Sequence, residues 1–592
     1  MKLTWTLLFA GSVWSFVAER SYTPAPYLRP DSEQLVPEGY IVRFHPNHTL
    51  EDHFSNIGFD IRQFASVFME MPVSNAYLFE LSETNHSMIH DYIRLDPGVL
   101  RIEHDEYLHE EQIFEREPAP PPLTFVERLS QKVKRWVNLL KSQASWNQVM
   151  ITLGKKKDFG GEANVGKTFY AQYSMSDSGE GVNVYVFDSG IKIEHETFQR
   201  YDRSQIASHF GGKKTSDTSP YCGSGVVMDD LLGHGTHVAG IISNRDSGAV
   251  HKANLINVKV QKCGGSIGKV ETAVNDVITE HNSNKNKPPK GWMGSVINMS
   301  IGYTTKNFQG LQDALNKAKN AGIPIAAAAG NQRQDWLEIP ARFASTFSVG
   351  AVDIDYNRWT GGYGGIRGSN YNKKLNIWAP GKSVWSSFID DKDPKVTNKY
   401  EWASGTSMAC PHVAGVMAII MGFEGYTKLS AQNVYDRLNT NAISVVKSDD
   451  EIKRVGATLN LLQSGIKGGT RRPTFDAPYD GIPHDELKKA KLAAVVAEST
   501  IIDDSPMPTH APPTDDTKDA DEIVKENDGT DPDDPLKSSK TSASAPAPAP
   551  TSGPKPSPTA CHCTEIGCTA DPPGSDAGCC GSGTCGPDVT TD

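Results

Sequence analysis

The chain has 592 residues, 59 of them basic and 71 acidic, a formal net charge of −12, and 38% hydrophobic residues. That length allows more than one domain, and the acidic balance disfavours a strongly basic nucleic-acid binder. No run of about 18 or more apolar residues follows the amino-terminal segment, which excludes an integral membrane protein with several spans.

Residues 1–18 carry Lys2, then Leu3, Leu7, Leu8, Phe9, Val13, Trp14 and Val17, ahead of Glu19 and Arg20. A basic start and a short apolar core read as a secretory signal, so the chain is expected to enter an oxidising compartment. Within residues 20–117, Tyr40–Phe44 and Ala76–Leu81 read as strands with short helical patterns between and after them, a small α+β domain. Pro118 to Pro122 breaks regular structure, because proline lacks the amide proton and restricts its neighbour. A linker over 118–144 follows. In it Leu123, Val126, Leu129, Val133, Val137 and Leu140 recur at the helical period, and Lys134–Arg135 offers a processing protease a dibasic site.

Residues 145–466 alternate strands (Val182–Phe187, Leu255–Val260, Ser295–Met299, Ile323–Ala328) with helical stretches. That order predicts an α/β domain, a parallel sheet with helices on both faces. Residues 467–560 change character. One short helix is expected at Asp485–Glu498, then 12 acids face two lysines over Thr500–Pro535, and Ala543–Pro558 is rich in Pro, Ala and Ser. Such a spacer buries too little apolar area to offset ordering entropy and is expected to be disordered. The tail 561–592 holds Cys561, Cys563, Cys568, Cys579, Cys580 and Cys585, either a small disulfide knot or a loose oxidised tail.

Four motifs in the middle block bear chemistry. Val184–Gly190 is an apolar strand ending in Asp188 and a tight turn, where a carboxylate faces the crevice at the carboxyl ends of a parallel sheet. Taken alone, such an aspartate is more often a turn former. Gly233-His234-Gly235-Thr236-His237 sets two histidines at a helix start. Without an H-E-x-x-H pattern or nearby cysteine ligands, a general base beside a structural histidine fits better than zinc. Ser404-Gly405-Thr406-Ser407 places a hydroxyl at the amino end of an apolar helix, as a nucleophile or as a plain N-cap. Cys410 is a rival nucleophile, although its apolar surroundings suit a structural thiol. Ile325–Asn331 ends a buried strand in an amide that can donate to an oxyanion. Acid, base, amide donor and hydroxyl, each at a strand end or helix start, are improbable as four separate coincidences.

The residues around Asp188, His234, Asn331 and Ser407 resemble the subtilisin family of serine proteases, nearest in flavour to its fungal proteinase K and cerevisin-like members. The resemblance covers about Trp146 to Ile466, and its most specific part is the G-T-S-M-A-x-P-H-V-A-G string from Gly405. It implies a secreted serine endopeptidase working through an acyl-enzyme, with Ser407 as nucleophile, His234 as base, Asp188 fixing the tautomer and Asn331 in the oxyanion hole. It also implies that Gly265 to Gly268 and Ser300 to Gly302 are edges pairing with an extended peptide, and that Ala328, Ala329 and Gly330 line the primary specificity pocket. Such small residues suit apolar or aromatic side chains. The domain at 20–117 similarly resembles an inhibitory propeptide, with maturation expected between Glu117 and Trp146.

Two departures follow. Asn376 stands where the family often has a calcium-binding aspartate before Ala379-Pro380-Gly381, so a structural calcium is disfavoured and no cofactor is needed for the chemistry. Cys222, Cys263 and Cys410 are odd in number, leaving one free; Cys222 to Cys263 is one candidate bridge. Sequons at Asn47 and Asn85 lie in the presumed propeptide, and the one at Asn298 falls on a buried strand, whereas the Ser/Thr/Pro tail suits O-glycosylation. The expected partners are protein substrates, the chain's own propeptide and, through the cysteine-rich tail, an extracellular surface. Delivery to a vacuole is the alternative location. Competing functions are a kexin-type processing protease and a non-catalytic adhesion protein on a protease scaffold. The charge is unevenly distributed: Arg20–Glu117 has net −11, Pro118–Ser499 net +11 and Thr500–Asp592 net −12. Opposite charge is expected to help the propeptide dock.

Overall fold

Val182–Asp188 is almost continuously apolar, as a strand covered on both faces must be. In the computed structural model it is the third of nine strands, between Asn254–Lys259 and Gly294–Met299. Ala207–His209 lies outside Asn254–Lys259; on the other side follow Ile325–Ala328, Phe347–Val352, Ile377–Pro380, Asn460–Leu461 and Ile443–Ser444. Every neighbouring pair is parallel except the last. The structure describes residues 23–30, 33–85, 87–108, 115–116, 143–165, 168–170, 179–199, 204–244, 248–303, 309–362, 367–393 and 395–465. The expected signal, linker helix, dibasic pair, acidic spacer and cysteine-rich tail lie outside these residues.

The two-residue period of a strand divides the core. Val182, Val184 and Val186 join one apolar cluster, packed by the helices His234–Ile242 and Thr406–Glu424. Tyr185 and Phe187 join the other, packed by Ile267–Asn286 and Gln309–Ala321. The predicted two-sided α/β sheet is thus present, with strand ends shifted by one or two residues. Cys222 and Cys263, 41 positions apart, form a disulfide, and Cys410 is a buried free thiol.

The amino-terminal α+β unit is a five-stranded sheet in the order Tyr27–Leu28, Val99–Glu106, Leu35–Phe44, Ala76–Leu81, Ala65–Met71. Its helix Leu50–Ile57 starts at a capping box between Thr49 and Asp52 and stops at left-handed Gly58. One face of the sheet docks on the amino end of Ile267–Asn286. Gly268 corrects the sequence reading here. Ser266 caps this helix by accepting from the Lys269 amide, so Gly268 belongs to its first turn and not to a substrate edge. A Cβ on Gly268 would sit 2.2 Å from Leu78 Cδ1, so the missing side chain is what lets the sheet approach. The Gly268 amide donates to Asp105 Oδ1 at 2.9 Å.

Arg43 crosses this interface. Its guanidinium donates twice to Glu271 at 2.7 Å and twice to Glu103 at 2.7 and 2.9 Å. Lys269 pairs with Glu80 at 2.7 Å. Removing this buried cation takes from Glu271 its guanidinium partner, while Glu103 keeps Arg101 at 2.6 Å. Arg43→Met is therefore expected to cost about 3–5 kcal/mol, read as a lower unfolding midpoint of the full chain in an inactive Ser407→Ala background. Adding Glu271→Gln should restore part of the loss.

His53 gives this unit an acid-sensitive core. It is wholly buried, with Nδ1 2.5 Å from Asp96 Oδ2 and Nε2 3.0 Å from the Tyr77 hydroxyl. Burial holds its pKa below the ordinary 6.5, against the opposing pull of Asp96. As pH falls through 6.5 the unfolded chain takes up this proton before the folded one, so stability present above that pH is lost below it. Melting of the uncut chain between pH 8 and 5 should show the loss, and His53→Gln should flatten it.

Candidate active site

Asp188 is the last residue of its strand, and its buried carboxylate accepts from the Ser189 amide at 2.8 Å. Its Oδ1 lies 2.6 Å from His234 Nδ1, where the helix His234–Ile242 begins. Burial pushes the Asp188 pKa up, and the adjacent His234 partly offsets this. An ionised carboxylate accepts only, so Nδ1 carries the proton and Nε2 is left as the basic nitrogen. The approach depends on glycine: a Cβ on Gly235 would stand 2.0 Å from Gly190 O and 3.1 Å from Asp188 Cβ.

Asp230, which the sequence reading passed over, pins that helix start. Its Oδ1 accepts from the Ser189 hydroxyl and the Leu232 and Gly233 amides, and its Oδ2 accepts from the Thr236 amide and hydroxyl. Ser189 Oγ in turn accepts from the Gly235 amide at 3.0 Å. Strand end and helix start are thereby tied into one unit. His237 faces the other way, with Nε2 3.1 Å from Glu401 O, and burial drives its pKa down to about 3.

The second helix starts at Thr406 after Gly405, so Ser407 sits inside the first turn and is not the cap. Its hydroxyl donates to Ser300 O at 3.3 Å, and the Ser300 hydroxyl donates to Ser407 O at 3.0 Å, joining the helix to the end of Gly294–Met299. Asn331 follows the strand Ile325–Ala328. Its Oδ1 accepts from the Thr406 amide at 2.9 Å and hydroxyl at 2.8 Å, which fixes the amide's orientation. Nδ2 is then the donor, buried and without an acceptor among the described residues. This orphaned donor lies beside Gly405, where an added Cβ would stand 3.5 Å from Nδ2.

These sites share the carboxyl-end edge of one parallel sheet, as a subtilisin site requires. The sequence profile of the subtilase family matches residues 179–476. The chain belongs to the subtilase family. A subtilisin-like serine protease, pepC, of Aspergillus niger is 30% identical over 413 residues, covering 68% of this chain and 69% of that protein. Subtilisin-like serine protease Cla h 9.0101 of Davidiella tassiana is 31% identical over 422 residues, 66% and 74% of the two chains. A crystal structure of a cold adapted subtilisin-like serine proteinase aligns at 27% identity with a TM-score of 0.42, over 55% of this chain and 99% of its own. This subtilase is a serine endopeptidase.

The remaining sequence candidates fall in different places. Gly265 O accepts from the Leu108 amide at 3.2 Å, and Tyr107 pairs antiparallel with Ser266. Ser300 and Gly302 follow a strand end, with Tyr303 pairing with Ile339. Ala329 and Gly330 lie beside Asn331, and Gly330 N donates to Thr406 Oγ1 at 3.1 Å. Asn376 Oδ1 already accepts from the Ser348 amide and hydroxyl, both at 2.8 Å, so this neutral side chain is a poor fit to a calcium site. The cluster His48, His53 and Asp96 lies in the amino-terminal unit and takes no part in this site.

Thr406→Val removes the hydroxyl that fixes Asn331. Its expected effect is a fall in kcat of about 10- to 100-fold with a smaller change in KM, since a whole oxyanion donor is worth about 100- to 1,000-fold. Steady-state kinetics on a peptide substrate check it.

Proposed function

We propose that Ser407, His234, Asp188 and Asn331 carry out peptide hydrolysis through an acyl-enzyme. The observation that carries this reading is the Asn331 amide, whose oxygen is committed to Thr406 and whose Nδ2 is left to donate. His234 Nε2 takes the Ser407 hydroxyl proton as Oγ bonds to the substrate carbonyl carbon. Negative charge moves onto the carbonyl oxygen, held by Asn331 Nδ2 and the Ser407 amide, one of the first helical N–H groups with no intrahelical acceptor. His234 returns the proton to the leaving amine as the C–N bond breaks. Water then hydrolyses the ester by the same route in reverse order of roles. Asp188 holds the Nδ1–H tautomer and stabilises the imidazolium. No step needs a metal.

The enzyme is read as a secreted zymogen whose residues 20–117 inhibit it. The leader at 1–18 supports secretion, and the Arg43, Glu80 and Asp105 contacts on the helix Ile267–Asn286 support an inhibitor docked on its own protease. Two further pairings support self-processing. Tyr107–Leu108 lies against Gly265–Ser266, and Glu115–Arg116 pairs with Ser404 and Ala403, beside Ser407. We infer that the first cut falls between Leu108 and Glu115, upstream of the expected interval, with the linker 118–144 trimmed afterwards; the pairing of Glu115 and Arg116 with Ser404 and Ala403, close in sequence to Ser407, supports it.

Ser407→Ala should reduce kcat about a million-fold and leave the secreted chain uncut. In the wild type, mass spectrometry should find a new amino terminus between Leu108 and Glu115. Wild-type activity in a clean Ser407→Ala preparation would end the assignment.

A further inference from the structure

Three segments of the amino-terminal unit bring two imidazoles onto one carboxylate oxygen. His48 lies in the turn after the strand Leu35–Phe44, His53 on the helix Leu50–Ile57, and Asp96 in the loop ahead of Val99–Glu106. Asp96 Oδ2 is 2.9 Å from His48 Nε2 and 2.5 Å from His53 Nδ1. The three ligand atoms all lie within 4.8 Å of one another, and among the described residues this is the one group of histidine, cysteine and acidic side chains so placed.

The surroundings hold these groups in place. Asp96 Oδ1 accepts from Asn56 Nδ2 at 2.8 Å and from the Gly98 amide at 2.9 Å, which turns Oδ2 toward the two rings. His53 Nε2 is 3.0 Å from the Tyr77 hydroxyl, which donates or accepts as the tautomer of the ring requires. The His48 ring lies on Gly98, where a Cβ would stand 2.1 Å from its Cε1 and Nε2. Phe44 packs edge-on against the same ring, with centroids 5.2 Å apart. His53 and Asp96 are buried, and His48, with a side chain 13% exposed, opens the group to solvent.

We propose that His48 Nε2, His53 Nδ1 and Asp96 Oδ2 bind a zinc ion that clamps the amino-terminal unit, with water as the fourth ligand. Two imidazole nitrogens and one carboxylate oxygen match the ligand preference of zinc, whereas calcium and magnesium take sets of oxygens. Tetrahedral bonds of about 2.0–2.1 Å put neighbouring ligand atoms about 3.3 Å apart, so the carboxylate and the rings need to separate by less than about 1 Å. Each ring binds in its neutral form with the proton on the far nitrogen, and His53 Nε2–H then donates to the Tyr77 hydroxyl. Asn56 and the Gly98 amide keep their bonds to Oδ1. The ion ties strand end, helix and loop together, a geometry that exists only in the folded unit, so binding stabilises that unit by mass action. It takes no part in the hydrolysis and acts on the unit that docks through Arg43 and Gly268.

The test uses the full chain in the inactive Ser407→Ala background, stripped with a chelator and held at one pH, beside the same chain with His48→Asn or Gly98→Ala. The second change leaves all three ligands in the chain and displaces the His48 ring. Zinc alone is titrated by calorimetry, and cobalt is put in its place and read by visible absorption, at a temperature where circular dichroism shows each metal-free chain folded. The parent should bind zinc, unfold at a higher temperature with zinc than without, and give a tetrahedral cobalt spectrum with no thiolate charge-transfer band. His48→Asn should weaken zinc binding by about 100-fold or more and abolish the shift in midpoint, and Gly98→Ala should weaken binding by about tenfold. Zinc binding and stabilisation unchanged by His48→Asn would overturn the proposal, as would a parent that binds no zinc. So would a cobalt spectrum of thiolate ligation alone, which places the metal on the cysteines of 561–592.

Discussion

The contact between a strand-end carboxylate and a histidine at a helix start is the constraint on which the rest of the site depends. A buried carboxylate is expensive unless charge and hydrogen bonds surround it. Here Asp188 meets His234 Nδ1 and the Ser189 amide, which demands that a helix and a strand approach within glycine distance. Gly190 and Gly235 allow the approach, and Asp230 locks it by bonding to both sides. The same logic recurs at Ser407. Gly405 admits the Asn331 amide, and Thr406 decides which end of that amide points away. Two helix starts and one strand end are therefore positioned by small residues and by short polar side chains that contact only backbone or one another.

The amino-terminal unit depends on a related compromise. Net charges of −11 and +11 attract over long range, but the buried contacts do not simply repeat that polarity. Lys269 to Glu80 follows it, with the cation on the protease side. Arg43 to Glu271 reverses it. The register comes from Arg43 held between Glu271 and Glu103, with Gly268 admitting Leu78.

Much of the fold was legible because the local signals agreed. Val182–Asp188 reads as a two-sided buried strand and is one, and Ala76–Leu81 has the same ends in sequence and structure. The motif strings brought Asp188, His234, Asn331 and Ser407 forward because each ends a strand or begins a helix. What stayed hidden lacks such a signal. Asp230 sits in an Asp-Asp-Leu-Leu loop with no period, and its role appears only when Ser189 and Thr236 are brought to it. Gly268 looked like part of an edge because glycine spacing alone does not distinguish a strand from a first helical turn; the capping by Ser266 does.

The most direct test of the account is the site of covalent capture by a fluorophosphonate, mapped by mass spectrometry on the self-processed enzyme. The account predicts a single phosphonyl adduct on Ser407, absent after His234→Ala. An adduct on Cys410, or none in a preparation that hydrolyses peptides, would contradict it.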